Sequence, residues 1–430
     1  MAAKARKESR KLQSLPSTVR KSILHAIADV LVDREADILQ ANQLDLEEAE
    51  MKNISKSLHR RYTLSSERIA HVVVGIRQIA EMPDQIGFVK SKRELAEGLE
   101  LSLTTVPIGV LLIIFESSPQ PLAQIVALSL AAGNGLLLKG GKDVSSTIAL
   151  LHEFIGDAIE NASKGEISRD IVGLVTSRKQ VKDLLALDTA IDLVIPRGSK
   201  QLNQFVRENT QIPILGSSNG VNHVYVDKSA AEEDACKVLV DAKTQYPAAS
   251  NAMETLLLHK DTLKNGVALH ALQGLRANHV KCFGGPKAMK AGLCDIATDE
   301  KHHEYEDLAC TVEMVDTADD AIDWINENGS GHTETIVCDE NDAVAKKFLN
   351  GVDAACVFMN ASTRFSDGFS FGMGGEVGIS TGRIHARGPL GVDGLLTTKW
   401  QLQSLGGTSA VSEFAGATPL RKYTHKDLQA

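Results

Sequence analysis

The sequence predicts an α/β protein of two lobes, each built around a parallel β-sheet. Three observations predict this. Short, continuously apolar runs alternate with helical stretches from about residue 101 to 250, the pattern of strands buried on both faces. A second alternating series starts near residue 254. Ahead of both, roughly the first 90 residues show helical spacing of apolar residues.

The elements follow in order. Val19, Ile23, Leu24, Ile27, Val30 and Leu31 share one helical stripe, with Ser17 in front as a cap. The charged run 45–50 reads as a solvated face. Residues 106–115 form an apolar, β-rich run interrupted by Pro107 and Gly109, and 116–121 a turn. Residues 122–132 are apolar on most sides and predict a buried helix ending at Gly133. Residues 136–138 predict a buried strand. Gly140 and Gly141 then turn the chain into a helix running to Ile159, capped by Asp143 or Ser145. Further strands are expected at 171–175, 192–196 and 212–215. In the second series, strands are expected at 255–258, 310–315, 335–337 and 355–358, separated by helices near 261–275, 318–327 and 341–349. Residues 364–389 are rich in Gly and Arg and lack periodicity. Residues 395–402 suit a closing strand, and the tail after Gly406 reads as loosely structured.

Composition narrows the function. At 430 residues, 43% hydrophobic and 23% charged, the chain has the balance of a soluble globular protein with room for two cores. A net charge of −9 disfavours nucleic acid as a partner, and an anionic ligand then needs a locally cationic pocket. The basic start has no apolar run behind it, so it does not read as a secretory signal. No stretch of about 18 apolar residues predicts a membrane span. Cys236, Cys282, Cys294, Cys310, Cys338 and Cys356 form no CxxC pair, and only His302 and His303 come near zinc-like spacing. A reduced protein of the cytosol or an organelle matrix, without a metal, is expected, and the cytoplasm is the compartment taken here.

Three constellations can carry chemistry. In 132–142, a helix ends, a buried strand follows, and Lys139 emerges at its carboxyl end before Gly140, Gly141 and Lys142. Ligands bind at such ends, glycine allows close approach, and a following helix N-terminus favours anions. A tight turn with two surface lysines explains the residues equally well. No GxGxxG or Walker A spacing is present. In 246–255, small residues crowd Ser250 and Asn251 just before a strand, which suits a nucleophile facing a cleft, or simply a cap. In 360–378, Arg364, Ser366 and Asp367 precede a glycine cluster, and Arg383 and Arg387 follow. Such a loop can hold an anionic ligand or its own ion pairs.

Together these segments resemble the gamma-glutamyl phosphate reductases, a branch of the aldehyde dehydrogenase superfamily. The likeness runs through 106–111, 133–142, 195–199, 361–368 and 376–389, in order and over nearly the whole chain. Residues 423–428 look like the reductase half of the bifunctional pyrroline-5-carboxylate synthases, whose kinase half is absent from this sequence. The resemblance implies an aldehyde dehydrogenase-like fold. It implies a cofactor domain at 1–240, a catalytic domain at 241–375, and a return at 376–430 to the cofactor domain and a β oligomerisation segment. It also implies NADPH as cofactor, a homo-oligomer, and a glutamate 5-kinase as partner. The family reaction reduces L-glutamyl 5-phosphate to glutamate 5-semialdehyde through a cysteine thiolate and a thioester. By resemblance, Lys139, Gly140, Gly141, Lys142, Arg197, Gly198, Ser199 and Glu304 hold the cofactor. Ser117 stabilises the oxyanion, and Arg364, Ser366 and Asp367 hold substrate. Lys142 stands where NAD-preferring relatives carry an acid, and a cation there favours a 2′-phosphate.

The sequence departs from the family at the cleft. Ser250 stands where the family has cysteine. Residues 116–120 read Glu-Ser-Ser-Pro-Gln in place of Glu-Ser-Arg-Pro-Asp, and 216–220 read Gly-Ser-Ser-Asn-Gly in place of a His-containing motif. Clustered drift favours natural divergence over a single engineered change. The alternative to a working reductase is therefore a catalytically impaired paralogue that binds cofactor and acts as a regulatory or structural subunit.

Overall fold

The computed structural model describes residues 1–116, 118–216, 219–341 and 343–429; of Lys56, Ser57 and Arg178 it describes the backbone alone. Five helices open the chain, Ala2–Ser14, Ser17–Asp33, Glu35–Met51, Lys56–Tyr62 and Ser66–Glu81. Ile23, Leu24, Ile27 and Leu31 are buried along the second, as their spacing requires. Ser17, expected as its cap, is instead its first residue, after Pro16, whose fixed φ suits a helix entry.

The first lobe centres on a parallel sheet in the order Val172–Leu174, Gly135–Lys139, Val110–Phe115, Leu193–Arg197. The two central strands are buried throughout, which is why they read as unbroken apolar runs. The run expected at 106–115 divides: Leu99–Pro107 belongs to another sheet, and only Val110–Phe115 enters this one. The strand expected at 212–215 contributes one bridge, Val194 to Ile214, because Pro213 has no N–H to extend a ladder.

The second lobe holds seven parallel strands, in the order Ile296–Ala297, Lys281–Gly284, Ala309–Val315, Met253–His259, Asn222–Val226, Thr333–Val337, Cys356–Met359. The strand Asn222–Val226 corrects the boundary expected at residue 240: the chain enters the second sheet about twenty residues sooner. Its polar start, Asn222 and His223, hides it from an apolar reading, yet both are fully buried.

A third, antiparallel sheet pairs Leu396–Ser404, Leu99–Pro107, Val89–Ala96 and Lys426–Leu428. The tail expected to be loose thus contains a paired strand and the helix Ala410–Phe414. The return of the chain is anchored by Leu390, Val392, Leu395 and Leu396, which join the first lobe's core.

Asn134 fastens that return. Its Oδ1 accepts from the Gly109 N–H at 2.8 Å, and its Nδ2 donates to the Leu395 carbonyl at 2.9 Å, fully out of water. Asn134→Ala leaves both backbone groups unpaired in the core. We expect chemical denaturation to show a loss of about 2–4 kcal/mol.

Candidate active site

A cleft of about 1130 Å³ opens along the carboxyl ends of the strands Val110–Phe115 and Leu193–Arg197. Such ends are where open parallel sheets bind ligands, since the following turns leave backbone groups free. The cleft is lined from the first lobe by Phe115, Glu116, Arg197, Gly198, Ser199 and Lys200, and from the second by Ser250, His302, Glu304, Glu306 and His332. Arg60, Arg61 and Arg68 add positive charge from the opening helices, and Glu376 adds a carboxylate from the returning chain.

Ser250 is exposed at the turn leading into Met253–His259. Its segment is clamped from behind. A Cβ on Gly220 would fall inside the Ser250 carbonyl, so the two backbones pack directly against each other. Asn222, fully buried, donates to the Ser250 carbonyl at 2.8 Å and the Ala252 carbonyl at 2.7 Å, and its Oδ1 accepts from the Thr333 N–H at 3.1 Å. Glu304 accepts from the Gly220 N–H at 3.0 Å. Burial raises the Glu304 carboxyl above its ordinary value, and that N–H pulls it back. The neighbouring Tyr305 N–H donates at 3.2 Å to Glu254, which is paired at 2.8 Å with the buried Lys243. Burial pushes Glu254 up to about 7 although Lys243 opposes it; the desolvation of both charges outweighs their attraction.

On the first-lobe side, Ser199 caps the helix Lys200–Asn209 by accepting from the Leu202 N–H. The Ser199 N–H donates to Glu116 at 2.9 Å, and any side chain at Gly198 would overlap that carboxylate. Arg197 donates to the Glu376 carbonyl at 3.2 Å, and burial lowers its pKa. His302 bridges Asn219, 2.9 Å away, and the Asn328 carbonyl, 2.7 Å away.

The structure therefore gathers Arg197, Gly198, Ser199, Glu304 and Ser250 in one cleft. Other expected residues lie elsewhere. Lys139 is buried with its ammonium on the Gly140 carbonyl, and Lys142 is exposed; neither they, Gly140 nor Gly141 lines the cleft. Gly140 packs against Phe115, so the corner sits one layer behind the wall. Asn251 is buried and donates to the Ser366 carbonyl at 3.2 Å. Ser366, expected to face substrate, is corrected: it is fully buried and its hydroxyl is bonded within the fold. Asp367 accepts from Phe369, Ser370 N–H and the Ser370 hydroxyl, a local turn. Arg364 is bonded to Gln245 at 2.8 Å, outside the cleft lining, with its pKa lowered by burial. Ser117, Ser217 and Ser218 lie outside the described residues. No cysteine lines the cleft among the described residues. Asn222, His332 and the three arginines went unread in the sequence. Their partners are 28 to 111 residues away along the chain in the Asn222 case, a distance no local pattern spans.

Two parallel-sheet lobes meet at this cleft, and the model of the Aldehyde dehydrogenase family matches residues 1–268, which places the chain in that family. The chain is 40% identical over 429 residues to the gamma-glutamyl phosphate reductase of Acaryochloris marina, covering 100% of this chain and 98% of that protein. The crystal structure of gamma-glutamyl phosphate reductase from Thermotoga maritima superposes with a TM-score of 0.88 at 34% identity, covering 95% of this chain and 98% of that one. The chain belongs to the gamma-glutamyl phosphate reductase family of oxidoreductases. It is also 49% identical over 428 residues to delta-1-pyrroline-5-carboxylate synthase B of Arabidopsis thaliana, of which it spans 57%.

Two outcomes follow from this geometry. Gly220→Ala must displace the Ser250 carbonyl or break the Glu304 contact, so ligand affinity in the cleft should fall by at least about tenfold in calorimetric titration while the helical signal is retained. His332 is held neutral by burial, its pKa lowered from 6.5 to about 4. The unfolded chain takes up that proton first as pH falls. Stability contributed by the neutral ring is therefore full above about 6.5 and is lost between there and about 4. Denaturation midpoints of His332→Gln should fall less steeply than those of the parent across that window.

Proposed function

We propose that this chain carries the site for NADPH-dependent reduction of L-glutamyl 5-phosphate to L-glutamate 5-semialdehyde and phosphate. The observation that carries the reading is the meeting, in one cleft, of Ser250 at the family's nucleophile position with Glu304, Arg197 and Ser199. In this reading the first lobe takes the cofactor and the second supplies the nucleophile.

The cleft suits a nicotinamide dinucleotide, while Lys142, the cation expected to favour a 2′-phosphate, lies off its lining. The cleft is large enough for one. Arg197 and Lys200 line the cleft at the N-terminus of the helix Lys200–Asn209 and offer charge for phosphate oxygens, although Glu116 already accepts from the Ser199 N–H there. When bound, the cofactor supplies the hydride. Glu304, fixed by Gly220, is placed to orient a ribose. Arg60, Arg61 and Arg68 supply charge for a phosphate and a carboxylate in a protein of net charge −9. In this reading Ser250 Oγ attacks the acyl carbon, forming an ester as the C–O bond to phosphate breaks and the hydroxyl proton leaves with the phosphate.

The hydroxyl limits that step. A thiol with pKa of about 8.5 is a few per cent thiolate near neutrality, while an alkanol is essentially never ionised there. Ser250 Oγ has no hydrogen-bonded base among the described residues. That observation supports a second reading, a cofactor-binding subunit with little turnover of its own. The reading also includes a cytoplasmic homo-oligomer joined through the exposed strand Leu396–Ser404, and a glutamate 5-kinase that makes the acyl phosphate.

NADPH consumption with L-glutamyl 5-phosphate, measured for this chain and for Ser250→Cys side by side, tests both. We expect the cysteine variant to be faster by on the order of 100-fold or more. NADPH binding with no turnover in either would leave the subunit reading standing. Absence of NADPH binding would sink both.

A further inference from the structure

Arg60 and Arg61 lie in the last turn of the helix Lys56–Tyr62, and Arg68 in the first turn of Ser66–Glu81. All three line the cleft that holds Ser250, at exposed or partly buried positions that a ligand can reach. None of the three pairs with a carboxylate among the described residues, whereas Arg6 pairs with Asp192 and Arg387 with Asp353, each at 2.7 Å. The carboxylates of the cleft are engaged elsewhere. Glu116 accepts from the Ser199 N–H at 2.9 Å, Glu304 from the Gly220 N–H at 3.0 Å, and Glu376 from the Gly368 N–H at 2.7 Å; Glu306 is exposed. Three unpaired guanidinium groups in a protein of net charge −9 make a local excess of positive charge, which an incoming anion offsets.

Arg68 is already oriented. Its Nη1 donates to the Arg60 carbonyl at 2.9 Å and to the Thr63 carbonyl at 2.5 Å. Both hydrogens of that nitrogen are thereby used, and the side chain is docked on the end of the helix that bears the other two arginines. Nε and Nη2 have no partner among the described residues. They form the edge of the fork that takes two oxygens of one anion side by side. A guanidinium held before the ligand arrives lowers the ordering cost of binding.

We propose that Arg60, Arg61 and Arg68 form a subsite for a terminal phosphate, with Arg68 as its bidentate contact. The inference rests on the reading above and deepens it. A terminal phosphate carries about two negative charges near neutrality and three acceptor oxygens, a match for three guanidinium groups. Two ligands of the proposed reaction present one: the acyl phosphate of the substrate and the 2′-phosphate of NADP. The bridging diphosphate of a dinucleotide has no such end.

Calorimetric titration of the full chain with NADP, with NAD, and with inorganic phosphate on top of saturating NADP tests the subsite and identifies its occupant. If the 2′-phosphate fills it, the parent binds NADP at least about tenfold tighter than NAD, and Arg60→Gln, Arg61→Gln and Arg68→Gln each reduce that preference. If the substrate's phosphate fills it, inorganic phosphate binds the NADP-saturated chain, and the same variants weaken phosphate by about tenfold with NADP affinity unchanged. Arg68→Lys, which keeps the charge but loses the fork, should recover little of the loss in either case. Arg60 and Arg61 make no side-chain bond among the described residues, so their variants remove no support from the fold. Parental affinities for NADP and phosphate in Arg60→Gln and Arg61→Gln therefore overturn the three-arginine subsite, whatever Arg68→Gln does, and leave the proposed reaction standing. Failure of the parent to bind either dinucleotide or phosphate overturns both.

Discussion

The contact on which the site depends is the direct packing of the Gly220 backbone against the Ser250 carbonyl, locked by Asn222. Asn222 uses both amide hydrogens on carbonyls of the turn that carries Ser250, and its oxygen on the first N–H of the strand Thr333–Val337. Both amide hydrogens and the oxygen of that side chain are bonded out of water, where an unpaired group would cost about 1–3 kcal/mol. One side chain therefore sets the turn that carries Ser250 relative to two strands of the sheet. The Gly220 N–H extends the arrangement to Glu304. Ser250, Glu304 and the start of the strand Thr333–Val337 are thus tied together through Asn222 and Gly220.

Charge in the cleft is arranged by depth. Arg60 and Arg61 lie at partly or fully exposed positions, where a cation keeps its hydration until a ligand arrives. Arg197 is drawn inward and held by the Glu376 carbonyl, and burial lowers its pKa. Glu116 takes the Ser199 N–H at a helix N-terminus, a place that favours any anion. Deeper still, Lys243 and Glu254 form an ion pair almost wholly out of water, which supports the loop carrying Glu304. Such a pair is a weak source of net stability, since desolvation offsets attraction, but removing either partner leaves a buried charge.

The scaffold under residue 250 makes no use of its side chain. Backbone contacts hold the turn, so sulfur or oxygen at the side chain does not alter them. A thiol and a hydroxyl at that position would differ in the fraction ionised near neutrality. The six cysteines lie outside the cleft lining, and five are buried.

The amino-acid order by itself determined the two-lobed α/β class, most strands of both sheets, and the family, because buried parallel strands are continuous apolar runs and the family motifs are local strings. It also singled out Ser250, Arg197, Ser199 and Glu304. Only the tertiary structure decided the lobe boundary, since Asn222 and His223 open a strand with polar residues whose partners, Thr333 and Glu334, lie 111 positions on. It alone removed Lys139 and Ser366 from the cleft wall and brought in His332 and the arginines. Burial and hydrogen-bond direction depend on what the fold sets opposite a side chain, and sequence spacing carries no record of that.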